Sequence, residues 1–355
     1  CRYFVDTGNL ALNYCSSGRF IGGGFPGGKI TEVYGPPASS KSLLGYTVAG
    51  AVQRQGGYSI VLDCERAINP DFAMTAGHCD PSRIVVVHPF FIEECESKIF
   101  NIVRYIREHK GNDVPIFFVW DSIGVAPCKR EWSETELPEN YTQADFKRIV
   151  GGNQQPGERA RRAGEMLRKV TPFLDEHNAT MFVINQTRQK IGVLFGSDET
   201  TAGGGNALPF YASTRVRTSA AKAIKDSKKN IPIGVNLKFT NKKNRSHTPF
   251  LACENIPLYF NQGIDPLGGL LEALINAGRV EKVSNGNYVV LPEWAGGIEY
   301  SFKASATRGN VDEDVLKSCP AVVDAKDEAE IMAYLEPFKA AIDLQNDPDL
   351  TEIDL

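Results

Sequence analysis

Residues 30–50 read ITEVYGPPASSKSLLGYTVAG and combine an apolar strand, a turn rich in Gly, Pro and Ser, and a helix. The turn GPPASSKS, residues 35–42, lies where a phosphate-binding loop would lie, between a strand and a helix. Its backbone N–H groups would bind phosphate oxygens, Lys41 would reach the terminal phosphates, and Ser42 would ligate Mg²⁺. Because Ser40 replaces the usual glycine before the lysine, a Pro/Ser-rich turn with an incidental lysine is the alternative.

Strands and helices alternate after this turn. The sequence predicts strands at 30–35, 58–65, 84–89, 115–123 and 179–186, and helices at 42–57, 93–111 and 157–178. This order predicts an α/β fold with a mostly parallel sheet flanked by helices on both faces. Ligands of such folds bind at the carboxyl ends of the strands.

Polar side chains stand at several of these strand ends. Asp121 ends the buried run FFVWD, where the magnesium-linked acid of a phosphate-loop ATPase is expected. Glu65 closes VLDCE, and a carboxylate there could orient an attacking water molecule. Gln186 ends the last core strand, where it could sense a γ-phosphate. A single acid at a strand end is more often a helix cap, but several at successive strand ends favour a catalytic site.

Two long polar stretches interrupt the alternation, at 128–157 and 187–206. Each follows a buried strand, and loops of this length are usually functional or disordered. Beyond residue 263 the alternation of strands and helices ends. Residues 265–282 are predicted as a helix, residues 284–291 as a hairpin with an Asn-Gly turn, and the remainder as a helical, acidic end. We therefore expect a domain boundary near residue 264.

The composition is that of a globular protein, but the small net charge hides an uneven distribution of charge along the chain. The 355 residues carry 39 Lys and Arg against 43 Asp and Glu, a net of −4, with 42% hydrophobic residues. Residues 128–250 hold 21 basic and 12 acidic side chains, a net of +9, whereas residues 324–355 carry −8. The basic region favours nucleic acid as a partner. The acidic end is either a solubilising tail or a competitor for the basic surface.

Three further features bear on the cellular setting. No window approaches the 18 apolar residues of a membrane span, and the first residues do not read as a signal peptide. The eight cysteines are scattered, without a CxxC pair, and are expected to be reduced thiols. These features predict a cytoplasmic protein with no membrane partner.

Six segments together resemble the RecA family of homologous-recombination ATPases over nearly the whole chain. They are VDTGNLALN, GGGFPGGKITEVYGPPASSKS, DCERAINPDFA, FFVWDSI, FVINQTRQKIGVLFGSDETTAGGGNALPFYAS and KKNRSHTPF. The missing loop glycine at Ser40, the triple glycine and QGIDPLGGLLEALINAG look most like phage recombinases of the UvsX type. The resemblance implies a RecA-like ATPase core over 1–263 and a small α+β C-terminal domain with an acidic tail over 264–355.

The resemblance also implies an ATP and Mg²⁺ site shared between subunits. Glu65 would be the general base, and Lys243 and Arg245 would reach the nucleotide of the adjacent subunit as trans-acting cations. Lys41 and Gln186 complete the implied catalytic set, with Ser42 and Asp121 as metal ligands. The implied nucleotide-binding residues are Gly35, Pro36, Pro37, Ala38, Ser39, Ser40, Lys41, Ser42, Leu43, Asn69, Phe72 and Asp121. Phe72 would stack on adenine, and Asn69 would lie near the base.

For DNA, the resemblance implies contacts from the two long stretches and the helix after the first. The matching positions are Arg161, Gly164, Arg168, Arg188, Ile191, Gly203, Gly204, Gly205 and Asn206. Glycines allow backbone N–H groups to approach phosphates, which carries no base information. Ile191 would wedge between base triplets, with a buried loop anchor as its alternative. The first loop, 128–157, departs most from the family, so the resemblance implies no single contact there.

Taken together, the sequence predicts a recombinase that coats single-stranded DNA as a helical filament and exchanges strands with homologous double-stranded DNA. Single-strand binding or mediator proteins are possible partners. Family members begin with an oligomerisation helix, which is expected to be absent from this chain because the sequence begins at the strand that follows it. A ring helicase on the same core and a DNA-binding scaffold with little ATP turnover are the alternatives.

Overall fold

A computed structural model gives the fold of most of the chain. It describes residues 3–130, 157–189, 199–201, 205–226, 228–229, 231–304, 311–339, 342 and 350–354. Within this part, no helix has both the length and the apolar surface that crossing a membrane requires.

The described residues contain sixteen strands and nine α-helices. The strands are β1 (Phe4–Val5), β2 (Phe25–Pro26), β3 (Ile30–Gly35), β4 (Tyr58–Asp63), β5 (Ile84–Val87), β6 (Ile116–Asp121), β7 (Ala179–Gln189), β8 (Glu199–Thr201), β9 (Thr214–Asp226), β10 (Ile231–Asn244), β11 (Ala252–Tyr259), β12 (Gly263–Ile264), β13 (Val280–Ser284), β14 (Asn287–Val290), β15 (Tyr300–Lys303) and β16 (Leu350–Asp354). The helices are α1 (Leu10–Ser17), α2 (Lys41–Arg54), α3 (Pro70–Gly77), α4 (Ile92–Lys110), α5 (Glu158–Glu176), α6 (Ala207–Tyr211), α7 (Leu270–Asn276), α8 (Glu313–Ser318) and α9 (Glu328–Leu335).

The main sheet has 11 strands, and its centre is parallel. Its order is β12-β11-β10-β9-β3-β7-β6-β4-β5, with β16 paired to β9 and β8 paired to β7. From β9 to β5 every neighbouring pair is parallel, whereas β10, β11 and β12 extend the sheet in antiparallel fashion. The predicted α/β class with a mostly parallel sheet is therefore confirmed.

Apolar residues cover both faces of the central strands, as their continuous hydrophobic runs predict. In β6, Phe117 and Val119 join one core cluster, and Phe118 and Trp120 join the other. The first cluster includes Leu44, Val48 and Val52 of α2, and the second includes Ile99 and Val103 of α4 and Met166 and Val170 of α5. Helices on both faces exclude water from the sheet, so polar groups concentrate at the strand ends.

The C-terminal region differs from the expectation in detail. The predicted helix over 265–282 is wrong in length, because α7 spans only Leu270–Asn276. Gly269 at φ 71° precedes the helix and Gly278 at φ 66° follows it, and left-handed glycines interrupt a helical backbone. The predicted Asn-Gly hairpin is present as β13 and β14, and β15 completes a three-stranded antiparallel sheet. The acidic end contains α8 and α9, but also the unexpected strand β16.

A buried polar cluster lies inside the main sheet. Glu32 on β3 is fully buried and accepts hydrogen bonds from Arg215 Nε on β9, at 2.5 Å, and from Asn185 Nδ2 on β7, at 3.0 Å. The guanidinium of Arg215 also lies 4.7 Å from the ring centre of Tyr34. The cluster thus joins three adjacent strands through side chains as well as through the backbone ladder.

Glu32→Ala should destabilise the protein strongly. Removing one partner of a buried ion pair leaves the other charge without compensation, which costs about 3–5 kcal/mol. Urea unfolding followed by circular dichroism measures the loss. The matched control is Glu281→Ala, because Glu281 is exposed on β13 and surface substitutions change stability by only about 0.5 kcal/mol. Equal unfolding midpoints for the two variants would contradict the structural role of Glu32.

Candidate active site

The turn between β3 and α2 is anchored to the neighbouring strand β9. Ser39 Oγ donates to Pro36 O at 2.8 Å and lies 2.8 Å from Thr218 Oγ1. A Cβ at Gly35 would come within 2.4 Å of Thr218 O, so the close approach of β9 requires glycine there. These contacts fix the loop at the carboxyl end of β3, where the sequence predicts a phosphate site.

Ser40 adopts the conformation that explains why glycine is usual at its position. Its backbone is left-handed, with φ 56° and ψ 27°, immediately before the first residue of α2. A side chain in this conformation costs about 1–2 kcal/mol relative to a right-handed one. The turn nevertheless leads directly into α2 at Lys41, so serine at this position does not interrupt the predicted strand–turn–helix order.

Lys41 is buried at the centre of the loop. Its ammonium donates to Pro36 O at 2.7 Å, Gly35 O at 3.3 Å and Ser39 Oγ at 3.3 Å. Burial lowers the pKa of Lys41, and the negative charges of Asp121 and Glu65 oppose that change. A buried cation held on neutral oxygens fits an anionic phosphate in the loop.

Ser42 and Asp121 come together at the start of α2. Ser42 Oγ donates to Asp121 Oδ2 at 2.5 Å. Burial, together with the nearby Glu65 and Asp63, raises the pKa of Asp121 to about 6, although the Ser42 hydrogen bond and Lys41 oppose the rise. The local excess of negative charge and the two hard oxygen ligands fit a Mg²⁺ ion, which commonly takes one or two protein oxygens beside phosphate oxygens and water.

Glu65 follows β4 and faces the same edge of the sheet. Its Oε1 accepts from Ser122 Oγ at 2.6 Å and from Gln186 Nε2 at 3.4 Å. The backbone N–H groups of Cys64 and Glu65 both donate to Asp121 O, which joins the ends of β4 and β6. The carboxylate is exposed, so it can be reached by a water molecule as well as by its two hydrogen-bond donors.

The predicted adenine side is only partly described. Asn69 is exposed, and its carbonyl oxygen accepts from Ala73 N at 3.0 Å at the beginning of α3. The side chain of Phe72 lies outside the described residues. Stacking of Phe72 on adenine therefore stays a prediction.

Lys243 and Arg245 lie far from the loop of their own chain. Lys243 pairs with Arg215 across β10 and β9, beside the beginning of β3, whereas the phosphate loop follows the end of β3. Arg215 in turn pairs with Glu32 of β3, and three residue steps separate Glu32 from Gly35, a distance of roughly 10 Å along the strand. Burial lowers the pKa of Lys243, and the nearby Arg245 and Arg215 lower it further. Within one chain, these cations do not complete the nucleotide site.

Both cations are held against the helix α6. Lys243 Nζ donates to Pro209 O at 2.7 Å and to Phe210 O at 3.0 Å. Arg245 Nη2 donates to the same Phe210 carbonyl at 3.5 Å, and its backbone N–H donates to Ser213 O. The Phe210 ring is 67% exposed beside them. This edge therefore presents two cations and an apolar side chain on one surface.

The predicted DNA-binding residues gather on α5 and the end of the second polar stretch. Arg161 and Arg168 are exposed on α5, and Arg161 forms ion pairs with Glu158 and Glu165. A Cβ at Gly205 would lie 2.9 Å from Ala160 Cβ, and one at Gly164 would lie 3.4 Å from Ala207 Cβ. The helix and the residues around Asn206 are therefore direct neighbours.

Of the remaining predicted DNA-binding residues, some lie outside the part of the chain that the structure describes. Arg188 lies on β7, which extends to Gln189 and pairs with β8. The predicted loop 187–206 thus begins as a two-stranded ribbon. Ile191, Gly203 and Gly204 lie outside the described residues, as do residues 131–156 of the first loop.

Several residues that build the site were missed by the sequence reasoning. Ser122 orients Glu65, and its only sequence signal is its position directly after Asp121. Thr218, which anchors the loop through Ser39, stands 179 residues away in sequence and carries no local signal. Asn185 Oδ1 accepts from Gln186 N at 3.0 Å and so links Gln186 to the buried cluster around Glu32.

Comparison with known proteins gives consistent matches over this region. The family model described as the RecA N-terminal domain matches residues 3–265. The protein named Protein RecA from Desulforapulum autotrophicum is 34% identical over 280 residues, covering 78% of this chain and 71% of that protein. Protein RecA from Thermus aquaticus is 31% identical over 283 residues, covering 79% and 74%. Protein RecA from Caulobacter vibrioides is 33% identical over 285 residues, covering 79% and 70%.

Asp121→Asn should stabilise the protein without nucleotide at neutral pH. Because the folded-state pKa is raised to about 6, the neutral acid favours folding below its unfolded pKa, and this contribution is lost as pH rises through about 6. Asparagine imitates the neutral form, so the variant should be about 1–3 kcal/mol more stable than the wild type near pH 7.5, with the difference vanishing near pH 4. Chemical unfolding at both pH values measures it, and an equal gain at both would contradict the titration of Asp121.

Proposed function

The chain belongs to the RecA family, and we propose that it coats single-stranded DNA as a helical filament and exchanges strands with homologous duplex. It is a RecA-type recombination and repair protein and a DNA-dependent ATPase. The observation that carries the proposal is the family match over residues 3–265, which spans the phosphate loop, every carboxylate of the site and both DNA loops.

In the proposed ATP site, each side chain has a distinct task. The loop 35–42 and Lys41 bind the phosphates, and Ser42 and Asp121 hold Mg²⁺. Bound Mg²⁺ neutralises charge that develops on the phosphate oxygens. Glu65, which accepts hydrogen bonds from Ser122 and Gln186, orients the attacking water and accepts its proton. The remaining nucleotide contacts are proposed for Pro36, Pro37, Ala38, Ser39, Ser40, Leu43, Asn69 and Phe72.

Lys243 and Arg245 are proposed to act on the nucleotide of the adjacent subunit. Their place near the beginning of β3, away from their own loop, supports action in trans. Two cations there would stabilise the negative charge of the transition state, as an arginine finger does. A head-to-tail interface of this kind forms a helical filament when its rotation does not close into a ring. Gln186 is proposed to sense the γ-phosphate and to relay its presence to the second loop, which begins directly after it.

DNA binding is proposed for the surface formed by α5 and the second loop. Arg161, Gly164 and Arg168 would contact the backbone from the helix, and Arg188, Gly205 and Asn206 would do so from the loop, together with Ile191, Gly203 and Gly204. The direct contact between α5 and residues 205–207 supports one continuous surface. Backbone contacts position DNA without reading its sequence, which suits a protein that leaves recognition to base pairing.

Finer assignments are also part of the proposal. The serine at position 40, the triple glycine and QGIDPLGGLLEALINAG support a phage recombinase of the UvsX type acting in the cytoplasm of a bacterial host. Residues 1–263 are proposed as the ATPase core and 264–355 as the C-terminal domain. Single-strand binding or mediator proteins are proposed as partners, attracted by the filament or by the acidic end.

Glu65→Gln tests the proposed function. Purified wild-type protein should hydrolyse ATP faster with single-stranded DNA and should form joint molecules with homologous duplex. The variant should lose about 100-fold or more of its turnover, the range of a general base, while keeping ATP-dependent DNA binding. Glu281→Gln, at an exposed position on β13, should behave as the wild type. Directional unwinding that needs no homologous partner would contradict the recombinase and favour the helicase.

A mixture of two inactive variants tests the action in trans. Glu65→Gln damages the nucleotide side of a subunit contact and Lys243→Ala damages the cation side. Random mixing leaves about a quarter of the contacts with both sides intact, so turnover should return to about that fraction of wild type. Glu65→Gln mixed with Lys41→Ala is the control, because both variants damage the nucleotide side and should stay inactive. No recovery in the first mixture would contradict the assignment of Lys243.

A further inference from the structure

Two cysteines lie in contact directly beside the proposed catalytic glutamate. Cys64 follows β4 and immediately precedes Glu65, and Cys95 lies in the first turn of α4. Their Sγ atoms are 3.7 Å apart, so a disulfide of about 2.05 Å needs the sulfurs to approach by roughly 1.7 Å. Rotation of the two side chains and a small shift of α4 or of the strand end would supply that approach.

The two thiols differ in their access to solvent. Cys95 is completely buried in the core cluster beneath α4, whereas Cys64 is partly exposed at the edge of the sheet. Trp120 Nε1 donates a hydrogen bond to Cys64 Sγ at 3.3 Å. An oxidant from solvent would therefore reach Cys64 first, and Cys95 would be the second thiol, which reacts with the oxidised Cys64. This arrangement of an accessible cysteine beside a resolving one is typical of redox-sensitive sites.

A second pair of cysteines in the same molecule provides a contrast. Cys15 and Cys253 interact with each other, but both are buried, with exposed fractions of 4% and 2%. Neither sulfur of that pair offers a solvent-accessible first target. Both pairs of cysteines are in contact, but only the pair of Cys64 and Cys95 also has one thiol that solvent can reach.

We propose that Cys64 and Cys95 form a reversible thiol–disulfide site, oxidised by hydroperoxides, that switches off ATP turnover. The Cys64 sulfur attacks the terminal peroxide oxygen, the O–O bond breaks, and a sulfenic acid and water or an alcohol result. The Cys95 sulfur then attacks the Cys64 sulfur, the S–O bond breaks, and the leaving oxygen departs as water with the thiol proton. Two thiols are oxidised by two electrons, and one peroxide is reduced.

The link to turnover passes through the backbone between Cys64 and Glu65. Glu65 is positioned by Ser122 Oγ at 2.6 Å and by the strand end that the Cys64 and Glu65 N–H groups fasten to Asp121 O. Drawing Cys64 toward α4 pulls on that strand end and moves Glu65 away from Ser122. A displacement of about 1 Å at a catalytic group is enough to lower a rate by about 100-fold. This step rests on the proposed function of Glu65, whereas formation of the disulfide does not.

Oxidation of the full chain by hydrogen peroxide tests the proposal. Peptide mapping without reductant should show a Cys64–Cys95 link. The total tryptophan fluorescence of the protein should fall, because the Trp120 indole then contacts a disulfide. DNA-stimulated ATP turnover should fall by about 10-fold or more and return with dithiothreitol, in line with a reversible disulfide. Cys64→Ala and Cys95→Ala, each tested alone, should keep basal turnover and lose its peroxide sensitivity, and Cys15→Ala should remain sensitive.

Two results would overturn the proposal, and both differ from a failure of the proposed function. Peroxide that yields no Cys64–Cys95 link would show that the site does not form. A link with unchanged turnover would show that the disulfide does not act on Glu65. If untreated protein hydrolysed no ATP at all, the proposed function would fail, while peptide mapping would still decide whether the disulfide forms.

Discussion

The register of the parallel strands is the constraint on which the rest of the molecule depends. β3 pairs with β7 so that Gly35 stands opposite Gln186, and β4 pairs with β6 so that Asp63 stands opposite Asp121. These four strands are adjacent in the order β3-β7-β6-β4. In a parallel sheet the carboxyl ends of all the strands lie along the same edge. The phosphate loop, the carboxylates of Asp63 and Asp121 and the amide of Gln186 therefore lie along one edge. A slip of one residue in any strand would turn its end residue to the other face.

The same edge carries charge and strain that folding alone would not favour. Burial and the neighbouring acids Glu65 and Asp63 raise the pKa of Asp121, and Lys41 is buried against neutral oxygens. Ser40 holds a left-handed backbone that glycine would adopt without cost. Each of these features costs free energy on folding, and a bound phosphate and a divalent cation would offset the unbalanced charges. Strain and unbalanced charge that concentrate at one edge are typical of a binding site.

Much of this arrangement could be predicted from the sequence. The remainder depends on contacts between distant segments, which local sequence patterns do not reveal. Continuous apolar runs located β3, β4, β6 and β7, because strands buried on both faces need them. Contacts between distant segments, such as Ser39 with Thr218 or Glu32 with Arg215, left no local signal. The length of α7 was overestimated because periodicity does not reveal that Gly269 is left-handed. The predicted action of Lys243 in trans came only from the family resemblance, since spacing along the chain says nothing about a neighbouring subunit.

The buried cluster around Glu32 gives the two ends of β3 a physical connection. At one end, Arg215 and Glu32 both act on the pKa of Lys243, in opposite directions. Toward the other end, Glu32 accepts from Asn185, and Asn185 accepts from the backbone N–H of Gln186. Because the cluster is shielded from water, its charges interact more strongly than they would at the surface. A change in charge beside Lys243 therefore alters the field at Glu32, and Glu32 is two hydrogen bonds away from Gln186. The edge that carries Lys243 and the edge that carries Gln186 are thus both linked to one buried carboxylate.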